Sequence, residues 1–248
     1  MKITTSTIDL ERLRAVVTRP TAEGAWPAIV AYPDIFQLTP SHLRLTTRLA
    51  GHGFVVVSPE IYSHLEGRGA VFDFDADRQR ALDASAKVDV DELDADIQSV
   101  LDHVAPTSSP EIEQEGEKAG SSEERGLLRS LQAGRRGVGV LGWCFGGHVA
   151  FRAALDPRVR AAACCYPTGL HDGSLGKRKV DTLERCAEMK GDLLLTWGRD
   201  DPHVPAPARA KIHGALDAAG ARYEARFHDA EHAFMRDVGP RFDPGATD

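Results

Sequence analysis

"GVGVLGWCFGGHVAF", residues Gly137 to Phe151, is the stretch from which the chain is best read. Small and β-branched residues lead into Gly142-Trp143-Cys144-Phe145-Gly146-Gly147, and a helix-compatible run follows. A strand that turns sharply into a helix crowds the backbone around its central residue, and residues without Cβ relieve the crowding. The pattern is Gly-x-Ser-x-Gly with sulfur in place of the hydroxyl, the outline of a nucleophile elbow. Cys144 then projects beside a helix N-terminus, where partial positive charge favours the thiolate. The alternative is a small buried cysteine beside a packing glycine pair, and this stretch alone leaves it open.

Outward from the elbow, strand-like and helix-like segments alternate, the signature of a mostly parallel sheet covered on both faces. "ERLRAVVTRP" reads as an early antiparallel edge strand; "AWPAIVAYP" and "GFVVVSPEIY" read as core strands around the helix-like "PSHLRLTTRLAGHG". There Thr39 suits the N-cap, Pro40 the first turn, and Gly51 or Gly53 the stop. "VDELDADIQSVLDHV" places Leu93, Ile97, Val100, Leu101 and Val104 on one helical face. Further strands are "VRAAACCYP", "DLLLTWG" and "RYEARFH", with a helix in "PARAKIHGALDAAG". Residues 105–136, rich in Ser, Gly and Glu, break the rhythm and read as a polar surface insertion with one short helix around "RGLLRSLQ".

Composition narrows the class. At 248 residues, 42% hydrophobic and 27% charged, the chain suits one α/β domain over 1–248. A net charge of −7 argues against general nucleic-acid or anionic-membrane binding, while leaving room for a local cationic pocket. The start lacks an apolar leader, no run reaches transmembrane length, and the four cysteines form no C-x-x-C pair, so a cytoplasmic location is expected.

A thiol nucleophile needs a base and a group that orients the base. "LLLTWGRDDPHVP" is an apolar strand running into a loop with Asp200 and Asp201, and "YEARFHDAEHAF" is an alternating strand that ends near His232. Both loops fall at the carboxyl edge of the sheet, where open α/β folds build their sites. "HDAEH", His228 to His232, also satisfies H-x-x-E-H, a zinc pattern. Two imidazoles on one metal would need a helix there, whereas Tyr223, Ala225 and Phe227 alternate as in a strand, so no metal is expected. Cys164, Cys165 and Cys186 have no partner motif and are expected to be buried.

Together "GWCFGGHVAF", "GRDDPHVPAPAR", "DAEHAFMRD" and "IVAYPDIFQLTPSHLRLTTRLAGHGFVVVSPEIY" resemble the dienelactone hydrolase family, from about Trp26 to Arg236 outside the insertion. The resemblance implies an α/β-hydrolase fold, a doubly wound sheet flanked by helices. It also implies hydrolysis of an enol-lactone by a Cys–His–Asp triad, here Cys144, His232 and Asp201, with Asp201 three residues before "VP". Asp34, in "YPDIFQ", takes the place of a family glutamate that helps convert thiol to thiolate, one methylene shorter. The backbone N–H groups of Ile35 and Phe145 match the family's oxyanion pair. Arg236 and Arg80 match arginines that hold the substrate carboxylate, with Arg78 competing for the second place. Family pocket aromatics are replaced by Ala84 and Lys87, while Tyr166 keeps one.

No metal or organic cofactor is implied. The expected partner is a small-molecule lactone or ester, with or without a carboxylate, not nucleic acid or membrane, acted on by a monomer or small homo-oligomer. A carboxylesterase or thioesterase with the same triad, or a non-catalytic hydrolase-fold binding protein, are the alternatives. The family closes with a helix packed on the sheet after the histidine, but "AFMRDVGPRFDPGATD" carries no amphipathic repeat. The expectation is a chain that stops short of that helix or an exposed apolar patch where it would lie.

Overall fold

A computed structural model describes residues 1–24, 26–105 and 137–247. In it the alternating segments build one twisted sheet. Its strands are β1 (Ile3–Asp9), β2 (Arg14–Pro20), β3 (Ala28–Tyr32), β4 (Val55–Pro59), β5 (Val138–Trp143), β6 (Val159–Cys165), β9 (Asp192–Gly198) and β10 (Tyr223–His228). Their spatial order is β1-β2-β4-β3-β5-β6-β9-β10. From β4 to β10 every pairing is parallel, and β1 and β2 join antiparallel. A small hairpin, β7 (Ser174–Leu175) with β8 (Arg178–Lys179), lies outside the sheet.

"RAVVTRP" is antiparallel as expected, but it is not the edge. That position belongs to β1, whose "ITTSTID" pairs along its whole length with β2. The segment is polar because only one side of it meets the core. Polar β-branched residues suit such a partly exposed edge.

Adjacent residues on a strand point to opposite faces, and the two cores follow that rule. Val30, Val57, Val140, Cys164 and Leu195 face a core shared with α4 (Val90–Val104), α5 (Phe145–Ala153) and α6 (Ala206–Ala218). Ala31, Val56, Trp143 and Cys165 face the other side, where α1 (Pro40–Gly51) packs. The expected face of α4 is buried at all five positions. Thr39 caps α1 by accepting from His42 N, and Pro40 opens it. The helix continues through Gly51, and Gly53, at φ +91°, turns the chain into β4.

The α1 side is incompletely covered. Beside α1 runs an apolar groove of about 1010 Å³ whose walls include Ile29, Leu45, Leu49, Leu141, Leu194 and Met235. The final helical turn, Pro244–Thr247, reaches its rim through Ala246 and Thr247. This is the apolar patch that the sequence led us to expect. Residues 106–136, with the short helix expected in them, lie outside the described residues; Ala105 closes α4 by donating from its N–H to Leu101 O.

Between β4 and β5 the strand order reverses around β3. Open α/β sheets leave a crevice at such a point, outside the carboxyl ends of the strands. The loop after β3 carries Asp34 and Ile35, and the turn after β5 carries Cys144.

Candidate active site

Cys144 stands between β5 and α5 with φ 56° and ψ −120°, a conformation few non-glycine residues adopt. The surrounding glycines are required by proximity rather than by dihedral angle. A Cβ on Gly142 would lie 1.9 Å from Gly146 O, and one on Gly146 would lie 2.1 Å from Pro33 O. One on Gly147 would meet Cys165 O at 2.9 Å. The turn is fixed from both sides: Cys144 N donates to Cys165 O at 3.0 Å, and Cys144 O accepts from Gly147 N and Thr168 N. The side chain is thereby held at the start of α5, half-buried, with its sulfur 3.9 Å from Thr168 Oγ1.

Two further loops are stitched together next to it. Gly198 ends β9 where a Cβ would strike Ala230 O at 2.4 Å, so the loops after β9 and β10 run in contact. Asp200 N donates to Ala230 O, and the buried Arg209 holds the carbonyls of Gly198, Val204 and Arg199. This places Asp201 Oδ2 2.7 Å from His232 Nδ1. Asp201 Oδ1 accepts from the N–H groups of His203 and Val204, so the carboxylate is fully engaged. Asp201 is 3% exposed and His232 5%.

On its other side the imidazole meets the Cys144 side chain. Burial alone would lower the His232 pKa. The charge of a Cys144 thiolate and the hydrogen bond to Asp201 outweigh burial and lift it to about 9. Burial raises and His232 lowers the Asp201 pKa, with His203 adding to the lowering, and the net position is below the usual carboxylate value. The geometry thus favours an imidazolium held between two anions.

These groups open on a cavity of about 560 Å³ that Cys144, His232, Ile35 and Phe145 all line. The larger groove on the α1 side contains none of Cys144, Asp201 or His232. Phe145 is the first residue of α5, so its N–H has no intrahelical partner. The N–H groups of Ile35 and Phe145 flank the same space beside the sulfur.

The other residues singled out from the sequence divide. Asp34 Oδ1 accepts from Phe36 N, and Oδ2 accepts from Arg236 Nη2 at 2.9 Å, so its carboxylate is engaged by Arg236. Arg236 lines the cavity, its guanidinium 4.8 Å from the Phe36 ring centre and 3.9 Å from that of Phe74. Tyr166, at φ 39°, is buried against His232, with ring centres 5.0 Å apart, and does not line the cavity.

Arg80 is outside the cavity. It pairs with Glu66 at 2.7 Å and lies over Phe72, while Arg78, Leu82 and Ser85 form the cavity wall. Those three are spaced i, i+4, i+7 on α3 (Arg78–Lys87), and Arg80 is turned about 200° from Arg78 at 100° per residue. Ala84 is buried in the core. His228 ends β10 and packs on Phe234, and the residues from there to His232 form a bend, not the helix a zinc pair would need.

Sequence reasoning overlooked Thr168, His203, Arg209 and Arg241. Only helical phase along α3 could have favoured Arg78, and no local pattern marks the others.

The dienelactone hydrolase family profile matches residues 13–247. The chain belongs to the dienelactone hydrolase family. It is 30% identical to a putative carboxymethylenebutenolidase of Saccharomyces cerevisiae, over 95% of this chain and 82% of that protein. It is 28% identical to a carboxymethylenebutenolidase of Pseudomonas sp. strain P51, over 91% of this chain and 81% of that one. In three dimensions it is similar to the crystal structure of a putative dienelactone hydrolase from Klebsiella pneumoniae, with TM-score 0.75 and 22% identity, covering 100% of this chain and 94% of that one. The fold is that of the α/β-hydrolases, a mostly parallel sheet flanked by helices, and the chain is a carboxymethylenebutenolidase-like hydrolase. Among the described residues no helix is long and apolar enough to cross a membrane.

Proposed function

We propose that this family member hydrolyses small-molecule lactones and esters through a thioester on Cys144. The observation that carries the reading is His232, held by Asp201 on one side and in contact with the Cys144 side chain on the other, beside two backbone N–H groups in one cavity. The thiolate attacks the carbonyl carbon, and the N–H groups of Ile35 and Phe145 bind the oxyanion, a contribution of about 3 kcal/mol per donor in comparable sites. The tetrahedral intermediate collapses, the C–O bond breaks, and His232 gives its proton to the leaving oxygen. In a lactone that oxygen stays tethered to the acyl group. His232, now neutral, removes a proton from water as the water attacks the thioester. Collapse of the second intermediate releases the acid and restores thiolate and imidazolium.

Asp201 holds the histidine tautomer throughout. Asp34 is the residue the resemblance assigns to thiol activation, and that role would require its carboxylate to leave Arg236. A carboxylated enol-lactone of the dienelactone type is the reference substrate, and the same steps serve simple carboxylesters and thioesters.

The test is rapid mixing with p-nitrophenyl acetate. The expected result is a burst of one p-nitrophenolate per chain and an acetyl adduct on the Cys144 peptide by mass spectrometry. Both should vanish in Cys144→Ala. An adduct elsewhere, or a burst that survives the substitution, would overturn the reading, and binding without turnover would mean a non-catalytic protein.

A further inference from the structure

The walls of the 560 Å³ cavity carry an uneven charge. Arg78, Arg236, Arg241 and His203 line it, against Asp75 as the acidic side chain other than those already paired. This accumulation occurs in a chain of net charge −7.

The three arginines are not equivalent. Arg236 is hydrogen-bonded to Asp34 and enclosed by Phe36 and Phe74, so its charge is largely answered within the protein. Arg78, exposed on α3, makes no hydrogen bond or ion pair among the described residues. Arg241 touches Glu231 loosely, Nε to Oε2 at 3.6 Å, and Glu231 is itself largely exposed. Both side chains also act on one point. The imidazole of His203, edge-on to His232 at 4.6 Å between ring centres, is lowered in pKa by burial first, then by His232 against the pull of Asp201, and further by Arg241 and Arg78.

We propose that Arg78 and Arg241 form the anion-binding end of the substrate site, and that the substrate is an ester whose acyl part bears a carboxylate or phosphate at the end remote from the scissile carbonyl. The inference rests on the reading of Cys144 above and adds the substrate class. An apolar body between the two ends is matched by Ile35, Phe74, Leu82, Val238 and Pro240 in the wall. A cavity of this volume falls in the range that encloses ligands larger than a single small ring. Guanidinium groups left without protein partners suit the oxygens of carboxylate or phosphate.

The experiment compares kcat/KM for the p-nitrophenyl monoester of glutaric acid with that for p-nitrophenyl pentanoate. In the double variant Arg78→Gln/Arg241→Gln the ratio of glutarate to pentanoate should fall roughly 10- to 100-fold, since a hydrogen bond to a charged group is worth about 1.5–3 kcal/mol. Arg80→Gln, outside the cavity, should hold the parent ratio. A ratio constant within twofold in the double variant, or an equal fall in Arg80→Gln, overturns the inference. A second measurement does not depend on turnover: glutarate should slow alkylation of Cys144 by iodoacetamide in the parent and lose that effect in the double variant. Absence of protection in the parent, or its persistence in the variant, also overturns it. Substituting phenyl phosphate for glutarate in the same assay distinguishes a phosphate from a carboxylate. If neither ester is hydrolysed yet protection follows the arginines, the hydrolytic reading fails and the anion site stands.

Discussion

Cys144 differs from the chain's other thiols in where its backbone places it. Cys164 and Cys165 are neighbours on β6 that point into opposite cores, and burial pushes the first well above the ordinary thiol range and the second to about 11. Burial also raises Cys186. Cys144 alone of the four lines the cavity of about 560 Å³. A limiting amount of iodoacetamide at neutral pH should therefore label Cys144 first, as read by peptide mass spectrometry; a dominant adduct on any other cysteine would refute the site. His232 offers a second residue-level test. Its pKa near 9 depends on the Cys144 sulfur as well as on Asp201, with burial opposing both. Replacement of Cys144 by alanine should bring the imidazole midpoint, followed by NMR, clearly below about 9. Because the folded value is raised above the ordinary 6.5, the imidazolium stabilises the fold fully below that pH, and the contribution is lost as pH rises through about 9. In Cys144→Ala the loss should begin at lower pH, and an unchanged midpoint would exclude a charged sulfur as its cause.

The unit of strand, turn and helix depends on glycine at positions where two backbones nearly touch. In Gly142→Ala the new methyl would sit 1.9 Å from Gly146 O, an atom that cannot retreat without moving the start of α5. Overpacking costs typically about 1–3 kcal/mol and occasionally more, and we expect this variant at or beyond the upper end by urea denaturation. Gly139→Ala, on the same strand, is the control. Its nearest neighbour is Ile29 Cγ1, a side-chain atom at 3.4 Å, so a change of about 1 kcal/mol or less is expected. Equal midpoints for the two variants would show that the turn yields. At the same scale α3 explains why Arg80 was a poor choice from sequence. Its face toward the cavity is set by helical phase, and a shift of two residues reverses direction.

For the whole molecule, the distribution of apolar surface matters more than its amount. One face of the sheet is sealed by α4, α5 and α6, while the α1 side keeps an apolar groove of about 1010 Å³. Sheets with both faces covered are the rule for parallel strands, so an open face is available to an apolar probe. The native protein should enhance the fluorescence of anilinonaphthalene sulfonate. Leu49→Lys, on the wall that α1 provides, should reduce that enhancement while the rate of Cys144 alkylation holds. Undiminished fluorescence would place the probe elsewhere. The groove and the cationic cavity are separate, since the groove contains none of Cys144, Asp201 and His232.

Local sequence was enough to define the repeating strands and helices, the caps of α1, the buried face of α4 and the elbow at Cys144, because each depends on neighbours within about two turns of chain. Chain order and the edge rule also indicated His232 and Asp201, because loops after parallel strands collect at one edge wherever the strands finally lie. What local sequence could not decide depended on contacts between distant segments. β1 became the edge through pairing with β2, and its polar side chains gave no internal signal of that role. Asp34 turned to Arg236, 202 positions away, rather than to the sulfur. Arg78 and Arg241 came to share one cavity from α3 and from the loop after β10. A side chain's charge is written in the sequence, but whether that charge is answered by the protein or left for a ligand is settled by packing.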